Sequence, residues 1–373
     1  MYYLALFLIL FLVIFSGRKA NKVMFIFVFI FLFVMACFRY GQGSDYFNYM
    51  EYYNAADYYW NNNPVMLLSL RDPGFVMLNV LSVLTNIPFQ GFTALISCII
   101  MILFFRFLSK QCHYSYYSLL FFYCFIYMVY ALSIMRQGLC MAFFYAVLYP
   151  LLNEKKYKEY YLWCVILITI HLSSILFFIF PIILKWHPSE NDLKKLLILS
   201  FLFLIGTSTI FKHIPIGFIQ SRIAPYLAES SSNQIFAIVL RCIFVIPLYY
   251  MPERLSSDSE IYKCKLFLVV GFFIYSITSF SELTCSRLWG YFWGFECLLL
   301  SYLHKRPYYC GYCRKILSFF LIVSIVFWFK DVNSFIAQGG YRNCDMFSYP
   351  YISIFEDDSV LNHYRTSLGH MEE

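Results

Sequence analysis

Residues 23–38 read VMFIFVFIFLFVMACF, and residues 39–45, which follow directly, read RYGQGSD. The first stretch has no charged side chain and approaches the roughly 20 apolar residues with which an α-helix crosses a bilayer. The second stretch then places Arg39 and Asp45 in one short loop at the end of that helix. Charge in or at a membrane is costly, so such groups are candidate functional residues. The two stretches predict a membrane helix with polar chemistry at its end.

The same apolar pattern recurs along the chain. Its 373 residues are 61% hydrophobic and only 13% charged, whereas a soluble protein carries about 25% charged residues. We therefore predict an all-α, polytopic integral membrane protein with about ten full transmembrane helices. The candidate crossings are Met1–Ser16, Val23–Phe38, Phe92–Leu108, Ser115–Leu132, Gln137–Leu152, Leu196–Phe211, Gln234–Tyr250, Cys264–Phe280, Ser286–Leu303 and Ile316–Phe329.

Two further apolar stretches, residues 74–88 and 160–184, are predicted to be re-entrant segments or half helices. The first is short and bracketed by turn residues. The second could cross once, but one crossing would move the basic loop at residues 304–315 to the outer side, against the positive-inside rule. A hairpin that bends near His171 keeps this loop inside. Half helices within a membrane are tolerated where they line a cavity or are buried in protein.

This topology puts both termini outside. It predicts a transmembrane domain over residues 1–330 with an outer loop at residues 39–72, and a polar, extracytoplasmic tail over residues 331–373. The outer side then collects the polar groups of several loops, among them Arg136, Arg222 and Arg287. The functional site is therefore expected on the outer face.

The arginines indicate an anionic ligand. Arg136 opens a helix, where the dipole disfavours a cation, but there its guanidinium and the free N–H groups can together bind a phosphate. The alternative is an arginine that extends to the interface. Arg222 and Arg287 lie at or near the outer side without matching acids, and arginine binds phosphate with two parallel hydrogen bonds.

His171 interrupts an apolar run and precedes Ser173 and Ser174. The alternative is a histidine that serves packing, but the inferred bend favours a site. Its ordinary pKa, about 6.5, suits proton transfer at neutral pH. For Asp72, which precedes Pro73-Gly74, we favour capping of the following helix over a functional role.

Asp45 stands among glycines and tyrosines, including Tyr46 and Tyr49. Aromatic faces stack on the C–H surfaces of sugars, and phenols bond to their hydroxyls, so this loop is a candidate sugar-binding lip. An aromatic belt at the membrane interface is the alternative reading.

No metal or other cofactor is expected. Residues 310–313 form a single Cys-x-x-Cys, and too few ligands lie nearby for a structural zinc site. No nucleotide-binding motif is evident. The net charge of +7 comes largely from short loops that determine topology, so it does not indicate a nucleic acid partner.

Six motifs in this order resemble the EpsG family, the Wzy-like exopolysaccharide and O-antigen polymerases of bacteria. They span residues 39 to 351. The motifs are Arg39…Gly43-Ser44-Asp45-Tyr46…Tyr49, Asp72-Pro73-Gly74-Phe75, Met135-Arg136-Gln137-Gly138, His171-Leu172-Ser173-Ser174, Ser286-Arg287-Leu288…Tyr291-Phe292 and Tyr349-Pro350-Tyr351. Asp72 stands where the family often has glutamate, and Ser44 where threonine is common.

The resemblance implies a metal-independent, glycosyltransferase-type polysaccharide polymerase in the bacterial cytoplasmic membrane, with its active site facing outside. It would transfer a growing glycan from undecaprenyl pyrophosphate to a lipid-linked repeat unit. Its partners would be the lipid bilayer, the undecaprenyl-pyrophosphate-linked oligosaccharide, a chain-length regulator and a flippase. The alternatives are a lipid-linked oligosaccharide flippase or exporter and a glycosyltransferase that uses a lipid-phosphate sugar.

The reaction that the resemblance implies needs cations for the leaving pyrophosphate and a base for the acceptor hydroxyl. We expect the catalytic residues to be His171, Asp45 and Arg136, with either His171 or Asp45 as the base. The expected substrate-binding residues are Arg39, Asp72, Arg222, Arg287, Tyr46 and Tyr49.

Overall fold

The computed structural model describes residues 1–15, 21–213, 239, 241–247, 259–279, 281–305 and 310–365. Over these residues the regular structure is helical, and β-type pairing is confined to two single bridges, Arg39 with Ser353 and Tyr341 with Arg365. The predicted all-α class is confirmed. Two compact units emerge from the contacts: Met1–Phe177 with Leu317–Glu373, and Phe178–Ile316.

The first unit is a bundle of mostly apolar helices. In it α2 packs on α5, α5 on α7, α1 on α6, and both α3 and α8 on α4. The helices are α1 (Tyr2–Phe15), α2 (Lys22–Cys37), α3 (Tyr46–Asn62), α4 (Pro73–Leu84), α5 (Phe89–Lys110), α6 (Tyr116–Ser133), α7 (Met135–Asn153) and α8 (Tyr157–Ile170).

The second unit contains the shorter α9 (Phe180–Trp186) followed by α10 (Glu190–His213), α11 (Ser259–Ile277), α12 (Glu282–Gly290) and α13 (Trp293–Lys305). Helix α11 packs against α10, α12 and α13. Helix α14 (Cys310–Gln338) begins in this unit and continues into the first, which also contains α15 (Asp358–Tyr364).

The protein is a polytopic membrane protein. Within the described ranges, four helices are long and apolar enough to cross a bilayer: α5, α6, α7 and residues 311–338 of α14. Helices α1, α2 and α4 are shorter but also apolar, and exposed side chains such as Phe7 and Phe27 are suited to contact with lipid. The number of ten crossings stays a prediction.

One predicted crossing, Ser286–Leu303, is broken in the structure. Helix α12 ends at Gly290, and α13 begins at Trp293 after a turn. The ring of Phe292, within this turn, lies against Gly271 of α11, where a Cβ would come 2.6 Å from the ring. The break therefore depends on a contact with a residue distant in sequence.

The first irregular stretch, residues 74–88, contains α4, a helix of 12 residues. Such a helix is about 18 Å long, which is less than the roughly 30 Å of the hydrocarbon core. Left-handed residues stand at both ends, Asp72 with φ 60° and Asn86 with φ 54°. The structure has a short helix bounded by turns here, and its re-entrant placement in the membrane stays a prediction.

The second irregular stretch bends at His171, as predicted. Helix α8 ends at Ile170, His171 is extended, and a 3₁₀ segment follows over Leu172–Ile179. The hydroxyl of Tyr160 donates to the carbonyl of Phe177 at 2.6 Å. In a straight helix these residues would lie about 25 Å apart, so the hydrogen bond requires the chain to reverse direction.

Candidate active site

Three predicted site residues meet where three helix ends converge: Asp72 before α4, Arg136 in the first turn of α7, and His171 after α8. Two glycines allow the backbones to approach closely. A Cβ on Gly74 would overlap Thr169 at the end of α8, and a Cβ on Gly138 would overlap the carbonyl oxygen of Tyr130 in α6. The convergence of the three side chains therefore depends on these close contacts.

The carboxylate of Asp72 lies between Arg136 and His171. Its Oδ2 accepts a hydrogen bond from Arg136 Nη1 at 2.6 Å and lies 3.6 Å from His171 Nδ1. The three side chains are mostly buried, with exposed fractions of 12%, 26% and 11% for Asp72, Arg136 and His171. Charges that are shielded from water interact more strongly than exposed ones. We call these three residues the Asp72 cluster.

The expectation that Asp72 caps the following helix is wrong, because its side chain makes no cap hydrogen bond. Instead the side chain faces the two basic groups. Burial raises the pKa of the Asp72 carboxyl, but the His171 imidazole and the Arg136 guanidinium outweigh burial, and the net pKa is lowered. The carboxylate is therefore ionised at neutral pH.

Aromatic rings surround the Arg136 guanidinium. Its central carbon lies 5.4 Å from the Tyr49 ring centroid, 5.6 Å from that of Tyr52 and 5.7 Å from that of Phe75. These are cation–π distances. Its Nε has no hydrogen-bond partner among the described residues. The guanidinium is thus fixed in place by rings and Asp72 while it retains capacity to bind an anion.

His171 can act as a base from this position. A proton on Nδ1, the nitrogen nearest Asp72, leaves a lone pair on Nε2. Neither nitrogen has a hydrogen bond within the part of the chain that the structure describes. The distance of 3.6 Å between His171 Nδ1 and Asp72 Oδ2 is longer than a hydrogen bond, so in this structure the carboxylate acts on the imidazole through its charge. Nε2 is buried in this structure, so a hydroxyl reaches it, and can give up its proton there, only when the surrounding side chains move apart.

Asp45 lies nearby, at the start of α3, but in a different setting. Ser133, the last residue of α6, receives hydrogen bonds from the backbone N–H groups of Ser44 at 2.9 Å and of Asp45 at 3.4 Å. Tyr49 follows Asp45 by one helical turn, and its hydroxyl accepts a hydrogen bond from the Arg136 backbone at 3.4 Å. Asp45 therefore lies beside the Asp72 cluster, one turn along α3.

Arg39 and Tyr46 are buried beneath this loop. The guanidinium of Arg39 donates to the Ala36 carbonyl at 2.6 Å and to the Ser97 hydroxyl. The hydroxyl of Tyr46 donates to Gln90 at 2.6 Å. Both side chains thus support the structure around the loop, and their contact with substrate stays a prediction.

The two remaining predicted arginines are Arg287 and Arg222. Arg287 belongs to α12 of the second unit, where the neighbouring Ser286 receives a hydrogen bond of 3.5 Å from Arg241. Arg241 also stacks on the Tyr275 ring at 5.0 Å. Arg222 lies outside the described residues. Roles of Arg287 and Arg222 in substrate binding stay predictions.

Arg365 was missed in the sequence. It is buried, and its guanidinium donates to the carbonyls of Gly339 at 2.9 Å and of Gly43 at 3.2 Å, and also to that of Gly41. It lies 4.6 Å from the Phe47 ring centroid. A single arginine in a polar tail gives no signal of such a role. The C-terminal residues thereby hold the loop that carries Asp45, while the predicted domain boundary at residue 330 stays a prediction.

The chain matches a known protein family over most of its length. Residues 22–353 match the EpsG family. Searches of curated proteins and of solved structures find no match. The matched range covers most of the chain and includes the whole Asp72 cluster, and this membership supports a role of the polysaccharide-polymerase type in a membrane. The chain belongs to the EpsG family.

Proposed function

We propose that the protein polymerises polysaccharide on the outer face of the bacterial cytoplasmic membrane. It transfers a growing glycan from undecaprenyl pyrophosphate to a hydroxyl of an incoming lipid-linked repeat unit. The observation that carries the proposal is the position of the Asp72 carboxylate, which contacts an arginine suited to the pyrophosphate and a histidine suited to the hydroxyl.

The proposed reaction proceeds by one displacement at the anomeric carbon of the growing glycan. His171 Nε2 takes the proton of the acceptor hydroxyl as the acceptor oxygen bonds to that carbon. The bond from the carbon to the pyrophosphate oxygen breaks, and its electron pair leaves with the pyrophosphate. Arg136 stabilises the charge that develops on this leaving group.

Asp72 acts through the other two groups. It orients the imidazole, stabilises the imidazolium that forms and holds Arg136. This favours His171 over Asp45 as the base, because His171 has a carboxylate behind it. Asp45, one turn from Tyr49, is then placed to bind the sugar whose hydroxyl reacts.

The test uses purified protein in proteoliposomes, supplied with lipid-linked repeat units extracted from cells that lack the protein. We expect a ladder of polymer lengths on a gel from the wild-type protein and from His363→Ala, which changes an exposed histidine of the tail. We expect none from His171→Ala or Arg136→Ala at equal membrane levels. A full ladder from either of these variants would overturn the site assignment.

Two further observations, one in proteoliposomes and one in cells, separate the rival functions. A single added sugar from a lipid-phosphate donor would indicate the simpler glycosyltransferase. Accumulation of repeat units on the inner face of cells that lack the protein would indicate a flippase, whereas the proposal expects them on the outer face.

A further inference from the structure

An open cleft lies between α3 and the turn that joins α4 to α5. Its volume is about 590 Å³, within the range of roughly 300–1,000 Å³ typical of small-molecule sites. The side chains that matter here are those of Tyr53, Asp57, Trp60, Asn61, Asn86 and Phe89. Tyr53 belongs to the tyrosine-rich stretch that the sequence suggests as a sugar-binding lip; the other five are not candidates from the sequence, and none of the six belongs to the Asp72 cluster.

The cleft has an aromatic floor and a polar rim. Tyr53 and Phe89 are buried, their ring centroids lie 5.8 Å apart, and the Tyr53 hydroxyl donates to the Ile87 carbonyl at 2.6 Å. The exposed Asn61 donates to Asp57 at 2.8 Å, which orients that carboxylate along the rim. Because a sugar ring has apolar C–H faces and a hydroxyl-bearing edge, this combination fits carbohydrate.

The aromatic ring best placed to stack on a sugar is that of Trp60, which is 38% exposed. A tyrosine two residues earlier, Tyr58, is 63% exposed but does not line the cleft. Tyr58 is therefore an exposed aromatic ring outside the cleft, as expected of an aromatic side chain at a membrane interface. Trp60 and Tyr58 therefore allow an aromatic ring in the cleft to be compared with one outside it on the same helix.

The cleft continues the Asp72 cluster along one face of α3. Tyr49, Tyr53, Asp57 and Asn61 follow each other at intervals of four residues, which places them on one side of the helix. Tyr49 contacts Arg136, and Asp57 lies about 12 Å further along the helix. That is the length of a short oligosaccharide extended from the Asp72 cluster.

We propose that this cleft binds the sugar chain of the lipid-linked substrate, next to the residue whose bond is made or broken at the Asp72 cluster. The inference rests on the proposed polymerase function. Among the described residues that line the cleft, the charged group is the Asp57 carboxylate, and no lysine or arginine accompanies it. The site therefore takes neutral or amino sugars and excludes uronic acids at this position.

The first test measures binding without catalysis. The probe is a set of oligosaccharides of one to three repeat units, made by partial hydrolysis of the polysaccharide of the source cells. Isothermal titration to the protein in nanodiscs compares the wild type with Trp60→Ala and Tyr58→Ala. We expect Trp60→Ala to raise Kd by about tenfold or more, as the loss of an aromatic anchor does, and Tyr58→Ala to leave it within about twofold.

The second test measures turnover in proteoliposomes. We expect Trp60→Ala and Asn86→Ala to raise KM for the lipid-linked repeat unit while kcat stays near the wild-type value, because neither side chain touches the reacting atoms. Equal Kd and KM for Trp60→Ala, Asn86→Ala and Tyr58→Ala would overturn the cleft assignment even if the wild type makes polymer. A wild type that binds oligosaccharide through Trp60 but makes no polymer would overturn the proposed function instead.

Discussion

Asp72 in the first unit and Glu296 in the second are both carboxyl groups in largely apolar surroundings, but their environments differ. Asp72 contacts Arg136 and His171. Glu296, in α13, is fully buried, and neither oxygen has a hydrogen-bond partner among the described residues. Since an ionised carboxylate without a partner is very costly in an apolar interior, we infer that Glu296 is neutral. The comparison teaches that an acid in an apolar region stays charged when basic partners contact it, as Arg136 and His171 contact Asp72.

The largest effect is expected for His171, the group that the Asp72 cluster supports. His171→Ala removes the proposed base, so the polymerisation rate should fall by about 10² to 10⁴. The rate of label incorporation from lipid-linked repeat units measures this. His363→Ala is the matched control, and a loss of comparable size in both variants would show that the effect is not specific to the site.

Asp72→Asn should come next. The amide keeps the size of the side chain but loses the charge that holds Arg136 and stabilises protonated His171, so we expect the rate to fall by roughly a hundredfold. Asp72→Glu restores the charge and should recover most of the activity. If Asn and Glu behave alike, the charge of Asp72 is irrelevant.

Gly138→Ala tests the packing beside the Asp72 cluster without changing any of its three side chains. The added methyl group would overlap the Tyr130 carbonyl, and overpacking of this kind costs about 1–3 kcal/mol. We expect a clear fall in the thermal midpoint of the purified protein. Gly311→Ala, at a site with no heavy atom within 4 Å of the new Cβ, should leave the midpoint unchanged or slightly raised. Equal midpoints in the two variants would contradict the close contact of α6 and α7.

Arg365→Gln tests the attachment of the C-terminal residues to the Asp45 loop. Loss of hydrogen bonds from a charged donor costs about 1.5–3 kcal/mol, so we expect a moderately lower thermal midpoint and faster proteolysis of the tail. Arg342 also donates to the tail carbonyls of Asn362 and His363, but it is exposed, so water can replace these bonds and Arg342→Gln should have a weaker effect. Tail proteolysis at the wild-type rate in Arg365→Gln would show that this arginine does not hold the loop.

Glu296→Gln is expected to have the smallest effect. It is the counterpart, in the second unit, of Asp72→Asn. Because the amide replaces a group that is already neutral, we expect polymerisation within about twofold of the wild type. The rate assay used for Asp72→Asn measures it. A loss as large as that of Asp72→Asn would remove the distinction between the two acids.

Much of the architecture could be predicted from the sequence because apolar runs report directly on membrane helices. Charge balance across the loops also predicted the bend at His171, which the Tyr160–Phe177 hydrogen bond confirms. The break between α12 and α13 could not be predicted, because it depends on the contact of Phe292 with Gly271.

The individual site residues could be predicted from the sequence, but their arrangement in space could not. Asp72-Pro73-Gly74 has the local pattern of a helix cap, and nothing local shows that its carboxylate faces Arg136 and His171. The cleft could not be predicted for a similar reason, because Trp60 and Asn86 belong to separate segments that meet only in the folded protein.

The central claim is that Asp72 acts through His171. A double-mutant cycle with Asp72→Asn and His171→Gln, read as polymerisation rates in proteoliposomes, tests it most directly. We predict that Asp72→Asn slows the His171→Gln variant much less than it slows the wild type, because the part of its effect that acts through His171 is already lost and only its hold on Arg136 remains. Independent losses that multiply in the double variant would contradict the account.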